Sequence, residues 1–398
     1  MTKKSSLVKG KLLFTALIIL LYLFGRNIPL FGIDTTEYAA ASFSTEDILM
    51  QSIGGDIYRQ SLMALGISPY MIASICVQIF MAVRNSDITS KISPKKMNRI
   101  TLLVTIVLAF FQAIANINEL NFVYGGRWLI LSKAVCVCQM IAGVMVIIFL
   151  SERNKRYGIG GQSAIIFVNI ADGLVNTVLS GEPDEFIIPG IVSLFVLWVV
   201  IVLENTEFRM PVQRISIHNV HAEKNYLAIK MNPVGVMPVM FSAAAFMVPQ
   251  VFCRILTMVF PGSYTFAKWD ENMTLDSLIG VEAYIVMLYV ITIAFAFIFI
   301  SPGDITEQMQ KTGDCLPYLQ AGWSTKWYLR RKIFKISFFS ATMMGICLGL
   351  PLYLEHEGYI STGFASLPST VMMLTGIWCS LHQEIVATKH LDAYKPFI

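Results

Sequence analysis

Charge is scarce in this 398-residue chain. Asp, Glu, Lys and Arg together make up 14% of it, against about 25% in ordinary soluble domains. Apolar residues make up 55%. So little polar sequence cannot coat a soluble core of that size. The same figures exclude a disordered, collagenous or coiled-coil chain. Cysteine is sparse as well. Of seven, Cys76, Cys136, Cys138, Cys253, Cys347 and Cys379 fall in apolar runs, and only Cys315 lies in a polar loop. No Cys/His spacing fits a zinc site, and no even-numbered framework sits in the outer loops. The five histidines form no cluster with carboxylates, so a metal or redox centre has no residues to build on. There is no G-x-x-x-x-G-K stretch, hence no phosphate loop. A formal net charge of +4 is weak ground for a nucleic-acid partner; in a membrane protein Lys and Arg mark the cytoplasmic loops instead. No catalytic residue, metal, cofactor or nucleic acid is expected.

What the chain does have is long apolar runs. A spanning helix needs about 20 largely apolar residues. Ten segments qualify, near 12–30, 64–83, 100–118, 129–150, 162–180, 187–204, 234–255, 279–301, 333–353 and 367–384. Lys3, Lys4, Lys9 and Lys11 precede the first run as in a signal peptide, but no small-residue cleavage pattern follows, so it is read as a retained span with a cytoplasmic N-terminus. The fifth run is the weakest, interrupted by Asn169, Asp172 and Asn176. The stretch 48–62, with Gly54, Gly55, Asp56 and Arg59, is too short and too polar to cross. A short re-entrant or external helix suits it better.

The charges test this count. Ten spans starting inside leave 1–11, 84–99, 151–161, 205–233, 302–335 and 385–398 in the cytoplasm. These hold 24 of the 30 Lys and Arg; only Arg26, Arg59, Arg127, Lys133, Arg254 and Lys268 fall outside or near outer ends. That asymmetry supports the orientation, with both termini inside. The expected fold is therefore an all-α polytopic membrane protein of ten transmembrane helices. It divides into halves of five spans, 1–180 and 181–398, hinged at Gly181-Glu182-Pro183-Asp184. An odd number of spans inserts the second half upside down, which places a pathway between the halves.

Several residues carry both a structural and a functional reading. Gly54-Gly55 suits an external turn or a small element folding back into the membrane. Pro69 opens the second span and Pro238 the seventh, after Asn232-Pro233-Val234-Gly235. Paired breaks in two halves point to a pathway, or are ordinary proline kinks. Gln78, Gln112 and Asn232 are amides that either glue helices together, at about 1 kcal/mol or less, or take part in a gate. Asp172 in the fifth span suggests a proton-coupled transporter, although as a lone acid without a second titratable partner in the spans. A structural scaffold is the third reading. Arg330-Arg331-Lys332 suits positive-inside flanking or docking, and loops 205–233 and 302–335 alone are large enough for a soluble partner.

At these residues the chain resembles the SecY family, the pore subunit of the bacterial protein-export channel. Gly25-Arg26-Asn27-Ile28-Pro29-Leu30-Phe31-Gly32-Ile33-Asp34 is similar to the family's G-x-x-I-P-x-P-G-I-D. Gly54-Gly55 through Arg59 to Ala64-Leu65-Gly66-Ile67-Ser68-Pro69-Tyr70 resembles S-G-G…R…A-L-G-I-M-P-Y. Gly158-Ile159-Gly160-Gly161 resembles G-I-G-N, and Lys230-Met231-Asn232-Pro233-Val234-Gly235-Val236-Met237-Pro238 resembles K-V-N-x-A-G-V-I-P. The resemblance implies two inverted five-helix halves around an hourglass pore. It implies a plug over 48–62 (Gly54, Gly55, Ile57) and a lateral gate between spans two and three and spans seven and eight (Gln78, Gln112, Asn232). It carries a constriction ring onto Met71, Ile75, Ile166, Ile170, Met240, Ala245 and Met373. The spacing itself puts Met71 with Ile75, and Ile166 with Ile170, on one helical face each.

The resemblance also implies a SecA-type ATPase as motor, a small SecE-like membrane subunit, a secreted polypeptide as substrate and lipid all round. Arg209, Arg214, Lys230, Lys311, Gln320, Arg330 and Arg331 would form the motor-docking loops. Two family arginines are missing: Asn205 and Gln320 stand in their places. These losses resemble the accessory SecY branch of Gram-positive bacteria, which uses its own motor to export serine-rich glycosylated surface proteins across the plasma membrane. A housekeeping SecY channel is the alternative.

The topology has a direct test. A thiol reagent that cannot cross the membrane should label Cys315 from the cytoplasm and a cysteine introduced at Asn272 from outside. Labelling of both from one side contradicts the ten-span layout.

Overall fold

A computed structural model describes residues 6–33, 60–83, 93–118, 120–123, 126–180, 186–214, 226–259, 264–275, 277–317, 319, 322–360 and 364–391. The chain divides into two compact units, Met1–Gly181 with Ile377–Ile398, and Glu182–Gly376.

The first unit holds α1 (Ser6–Arg26), α2 (Ser68–Val83), α3 (Pro94–Asn118), α4 (Arg127–Tyr157) and α5 (Gln162–Ser180). In hydrocarbon each backbone N–H and C=O needs a partner within the chain, so apolar runs become helices and the bends between them must be tied. The bend after α1 is tied by a strand-like bridge between Pro29 and Ser61. There the Leu30 amide donates to Gln60 O at 2.8 Å and the Leu62 amide to Ile28 O at 2.9 Å. Ala64–Ile67, expected inside the second span, form turns instead, and α2 starts at Ser68. Gly66 has φ 56°, a conformation that favours glycine, and the Ser68 hydroxyl donates to Leu65 O at 2.9 Å. The plug positions Gly54, Gly55 and Ile57 lie outside the described residues, as does the hinge 181–184.

Helix α4 runs seven residues past the expected end at 150 because its polar tail is anchored. Asn154 is fully buried. Its Nδ2 donates to Ile159 O at 3.0 Å and Gly161 O at 2.9 Å, closing the Gly158–Gly161 turn into α5. The Thr15 hydroxyl of α1 lies 3.0 Å from Asn154 Oδ1 and accepts from the Ile159 amide at 2.8 Å. An apolar cluster of Leu30, Ala109, Ala113, Cys136, Met140 and Val144 packs α3, α4 and the bend after α1 together.

The second unit holds α6 (Ile187–Asn205), β1 (Glu207–Pro211), β2 (Gln213–Arg214), β3 (Tyr226–Lys230), α7 (Met237–Val259), α8 (Tyr264–Asn272), α9 (Leu278–Phe299), α10 (Pro302–Thr312), β4 (Asp314–Cys315) and α11 (Trp323–His356). Helix α12 (Leu367–Leu391) starts in this unit and from Ile377 belongs to the first. Helices α9 and α11 pack antiparallel at Gly345 and Gly349; a Cβ at Gly349 would come within 2.7 Å of Ile285 Cδ1. Pro249 interrupts the hydrogen-bond ladder inside α7.

The stretches 205–233 and 302–335, expected as loops, contain ordered structure. Strand β1 pairs antiparallel with β3, from Glu207↔Lys230 to Pro211↔Tyr226. Strand β2 pairs with β4, Gln213 opposite Cys315 and Arg214 opposite Asp314. The second stretch begins with α10, whose N-cap Ser301 accepts from the Asp304 amide. Its end is the first turns of α11, which starts ten residues before the expected 333.

The ten described helices of 16 residues or more match the ten expected spans. Seven spans, with α9 and α10 counted as one, are long and apolar enough to cross a membrane by length and composition alone. Helix α2 offers a shorter apolar stretch, Ser68–Phe80. The short helix α8 was not anticipated.

The Asn154 anchor yields a stability prediction. Asn154→Ala removes the amide's bonds to the Ile159 and Gly161 carbonyls, and should cost about 1–3 kcal/mol. The measurement is thermal unfolding of detergent-solubilised protein. A change no larger than that of Asn98→Ala, at an exposed position, would contradict the assigned role.

Candidate functional site

In the first unit the apolar positions singled out above sit on two helices. Met71 and Ile75 are buried on α2, Ile166 and Ile170 on α5. Each pair is four residues apart, so each forms one continuous face. Helix α2 packs on α3. Gln78 is exposed on α2, and Gln112 is half-buried on α3. The Gln112 Oε1 is buried and has no hydrogen-bond partner among the described residues. That oxygen therefore glues no two described helices together.

Asp172 requires a correction. It is not a lone acid: Arg26 Nη2 of α1 lies 2.9 Å from its Oδ2. A charge at membrane depth needs a counter-charge, and the Arg at the end of the first span was the sequence signal for it.

In the second unit Met240 on α7 and Met373 on α12 are buried, and Ala245 is half-buried. Asn232 precedes α7 and is buried. Its Nδ2 donates to Glu204 Oε1 of α6 at 2.8 Å. Its Oδ1 accepts from the Ser340 hydroxyl of α11 at 3.2 Å. The Met231 amide donates to Thr206 O at 2.9 Å. Gly235 follows with φ 70°, so the glycine breaks before α2 and α7 share a left-handed residue. Asn232 thus ties three helices at the foot of α7, and Glu204 and Ser340, its partners, were missed in the sequence because the bond spans 28 and 108 residues.

Five of the seven residues expected to dock a motor, Arg209, Lys230, Lys311, Arg330 and Arg331, have described side chains, on elements that share one apolar core. Met210, Ile229, Met309, Leu316, Leu329 and Ile333 form an apolar core that joins the two hairpin stretches to α10 and α11. Along β1 burial alternates, with Met210 inward and Arg209 outward. Arg209 lies over the Tyr226 ring at 4.8 Å and 3.5 Å from Glu207. Lys230 ends β3, half-buried. Lys311, exposed on α10, pairs with Glu307 at 2.7 Å, a solvent-screened i,i+4 contact that a partner can outcompete. Arg330 lies over Phe297 at 6.0 Å, Arg331 over Trp327 at 3.3 Å. Arg214 is on β2, with its side chain outside the described set, and Gln320 is outside it altogether. No group of His, Cys, Asp or Glu that could hold a metal occurs among the described residues.

Comparison with known proteins accords with this geometry. The SecY family profile matches residues 61–378, and the chain belongs to the SecY family of protein-translocation channels. The accessory Sec system protein translocase subunit SecY2 of Leuconostoc gelidum subsp. gasicomitatum is 27% identical over 403 residues, 96% of this chain and 94% of that one. Its counterpart in Streptococcus agalactiae is 26% identical over 382 residues, 94% and 92% of the two chains. Among solved structures, a protein-conducting channel superposes with TM-score 0.67 at 17% identity, over 97% of this chain and 93% of that one. Sec61 from a canine ribosome-channel complex gives 0.64 at 19%, with the same coverage. The chain is a membrane-channel subunit of a translocase rather than an enzyme.

The tie at Asn232 can be tested by charge. Asn232→Asp sets a carboxylate against the Glu204 carboxylate, so it should destabilise more than Asn232→Ala, which removes the donor to Glu204 and the acceptor for Ser340 but adds no charge. Limited proteolysis between 205 and 233 reads the difference. Equal resistance of both variants and wild type would contradict the tie.

Proposed function

We propose that this chain is the pore-forming subunit of an accessory translocon in a Gram-positive plasma membrane. It passes unfolded polypeptide outward, driven by a separate SecA-type ATPase. The observation that carries the reading is similarity over nearly the full length to subunits named as accessory SecY2. A small SecE-like membrane subunit, serine-rich glycosylated substrates and cytoplasmic termini complete the proposal.

A pore wide enough for a peptide must hold back ions when idle, and a narrow apolar girdle does so by dewetting. In this reading Met71, Ile75, Ile166, Ile170, Met240, Ala245 and Met373 supply the girdle. The segment 48–62, with Gly54, Gly55 and Ile57, supplies a plug. Gln78, Gln112 and Asn232 belong to a lateral gate. The chain carries no phosphate loop, so energy comes from a docked motor. Arg209, Arg214, Lys230, Lys311, Arg330 and Arg331 give it charge-assisted contacts. The folded surface of β1, β3 and α10 supports docking of this kind, because a motor needs a stiff footing to push against. Asn205 and Gln320 in place of family arginines favour a specialised motor. The Arg26 partner of Asp172 weighs against a proton-coupled transporter.

Two experiments test this. In proteoliposomes, export should couple better to a dedicated accessory motor than to the general SecA; equal activity with both removes the specialisation and leaves the housekeeping reading. In planar bilayers, Ile75→Asn and Ile170→Asn should raise resting ion conductance, whereas Val146→Asn on an exposed face of α4 should not. Ring variants at the level of that control would refute the girdle.

A further inference from the structure

Two side-chain rungs join α1 to α5. Tyr22 Oη donates to Asn169 Oδ1 at 2.8 Å, and both residues are fully buried. One turn further along, Arg26 Nη2 meets Asp172 Oδ2 at 2.9 Å, the Arg side chain 5% and the Asp side chain 36% exposed. Asn176 Nδ2 reaches the same carboxylate oxygen at 3.5 Å. The rungs ascend both helices in the same direction, so α1 and α5 run parallel, as two spans separated by three others must. Helix α1 is itself held lower down, where Thr15 accepts from the Ile159 amide and Phe14 meets Tyr157 edge-on at 5.7 Å.

These rungs lie beside the apolar face of α5. On a helix of 3.6 residues per turn, Asn169 and Asp172 centre about 110° around the axis from Ile166 and Ile170. Asp172 therefore points away from the face assigned to the girdle. Apolar contacts alone let a helix rotate by small steps at little cost, whereas two polar rungs at different heights fix rotation and height together. The pair is buried on the Arg26 side and partly exposed on the Asp172 side, so its net contribution to stability is small and its effect is on position.

We propose that Tyr22–Asn169 and Arg26–Asp172 form a two-rung strut. It sets the rotation of α5 about its axis and so aims Ile166 and Ile170 into the pore. All four are positioning residues, and Asp172 carries no transported proton. The proposal rests on the girdle reading above.

The test is resting ion conductance of purified channel in planar bilayers, with Ile170→Asn measured in parallel. Asp172→Asn and Arg26→Gln should each raise conductance at least about fivefold, the lower range for coupled elements. The charge swap, Arg26→Asp with Asp172→Arg, should bring it back toward wild type. Tyr22→Phe removes a single hydroxyl and should leak less than Asp172→Asn but more than Val146→Asn; it decides the matter if the charge variants fail to accumulate. If Ile170→Asn leaks and the strut variants do not, the strut is overturned while the girdle stands. If none leaks, the girdle falls and the strut with it. If Asp172→Asn and the swap both lose export without any leak, Asp172 works as a titrating group and the proposal is wrong.

Discussion

The constraint on which this structure depends is that lipid offers the backbone no hydrogen bonds. Each N–H and C=O left unpaired at membrane depth costs several kcal/mol. The long apolar runs answer this as helices, and the informative places are where helices stop. Three such places are tied by the chain itself: the Pro29–Ser61 bridge, the turn closed by Asn154 and the Asn232 node at the foot of α7. The first is tied backbone to backbone, and the other two through a buried Asn side chain. Motifs that resemble the SecY family, at Gly25–Asp34, Gly158–Gly161 and Lys230–Pro238, fall at these three bends.

The second consequence concerns the connections 205–233 and 302–335. Strand β2 belongs to the connection after α6 and β4 to the connection after α9, yet they pair. The apolar core beneath them takes Met210 and Ile229 from one connection and Met309 and Leu316 from the other. Two loops thereby become one surface continuous with α11, whose first turns carry Arg330 and Arg331.

Much of this was legible in the sequence because the relevant physics is local. Hydropathy runs located the ten long helices among the described residues to within a few residues at most ends. Spacing of four put Met71 with Ile75 and Ile166 with Ile170. What the sequence hid was set by distant contacts. Tyr226–Lys230 is too short to announce a strand without its partner at Glu207–Pro211. The extra turns of α4 depend on Asn154 meeting a backbone carbonyl beyond the helix end. Asp172 looked solitary because its counter-charge lies 146 residues earlier in the chain. Glu204 and Ser340 carried no signal beyond being polar residues in apolar surroundings. In each case the missing information was a pairing between segments, which periodicity within one segment cannot report.

The central claim is that an exported polypeptide passes through this chain. The most direct measurement places a photo-crosslinking side chain at Ile170 on α5 or Met240 on α7, with Leu194 on the exposed face of α6 as the reference, and stalls a precursor during motor-driven export. The account predicts crosslinks to the precursor from positions 170 and 240 and none from 194. Crosslinks of equal strength at all three positions, or none at 170 and 240 while export proceeds, would contradict it.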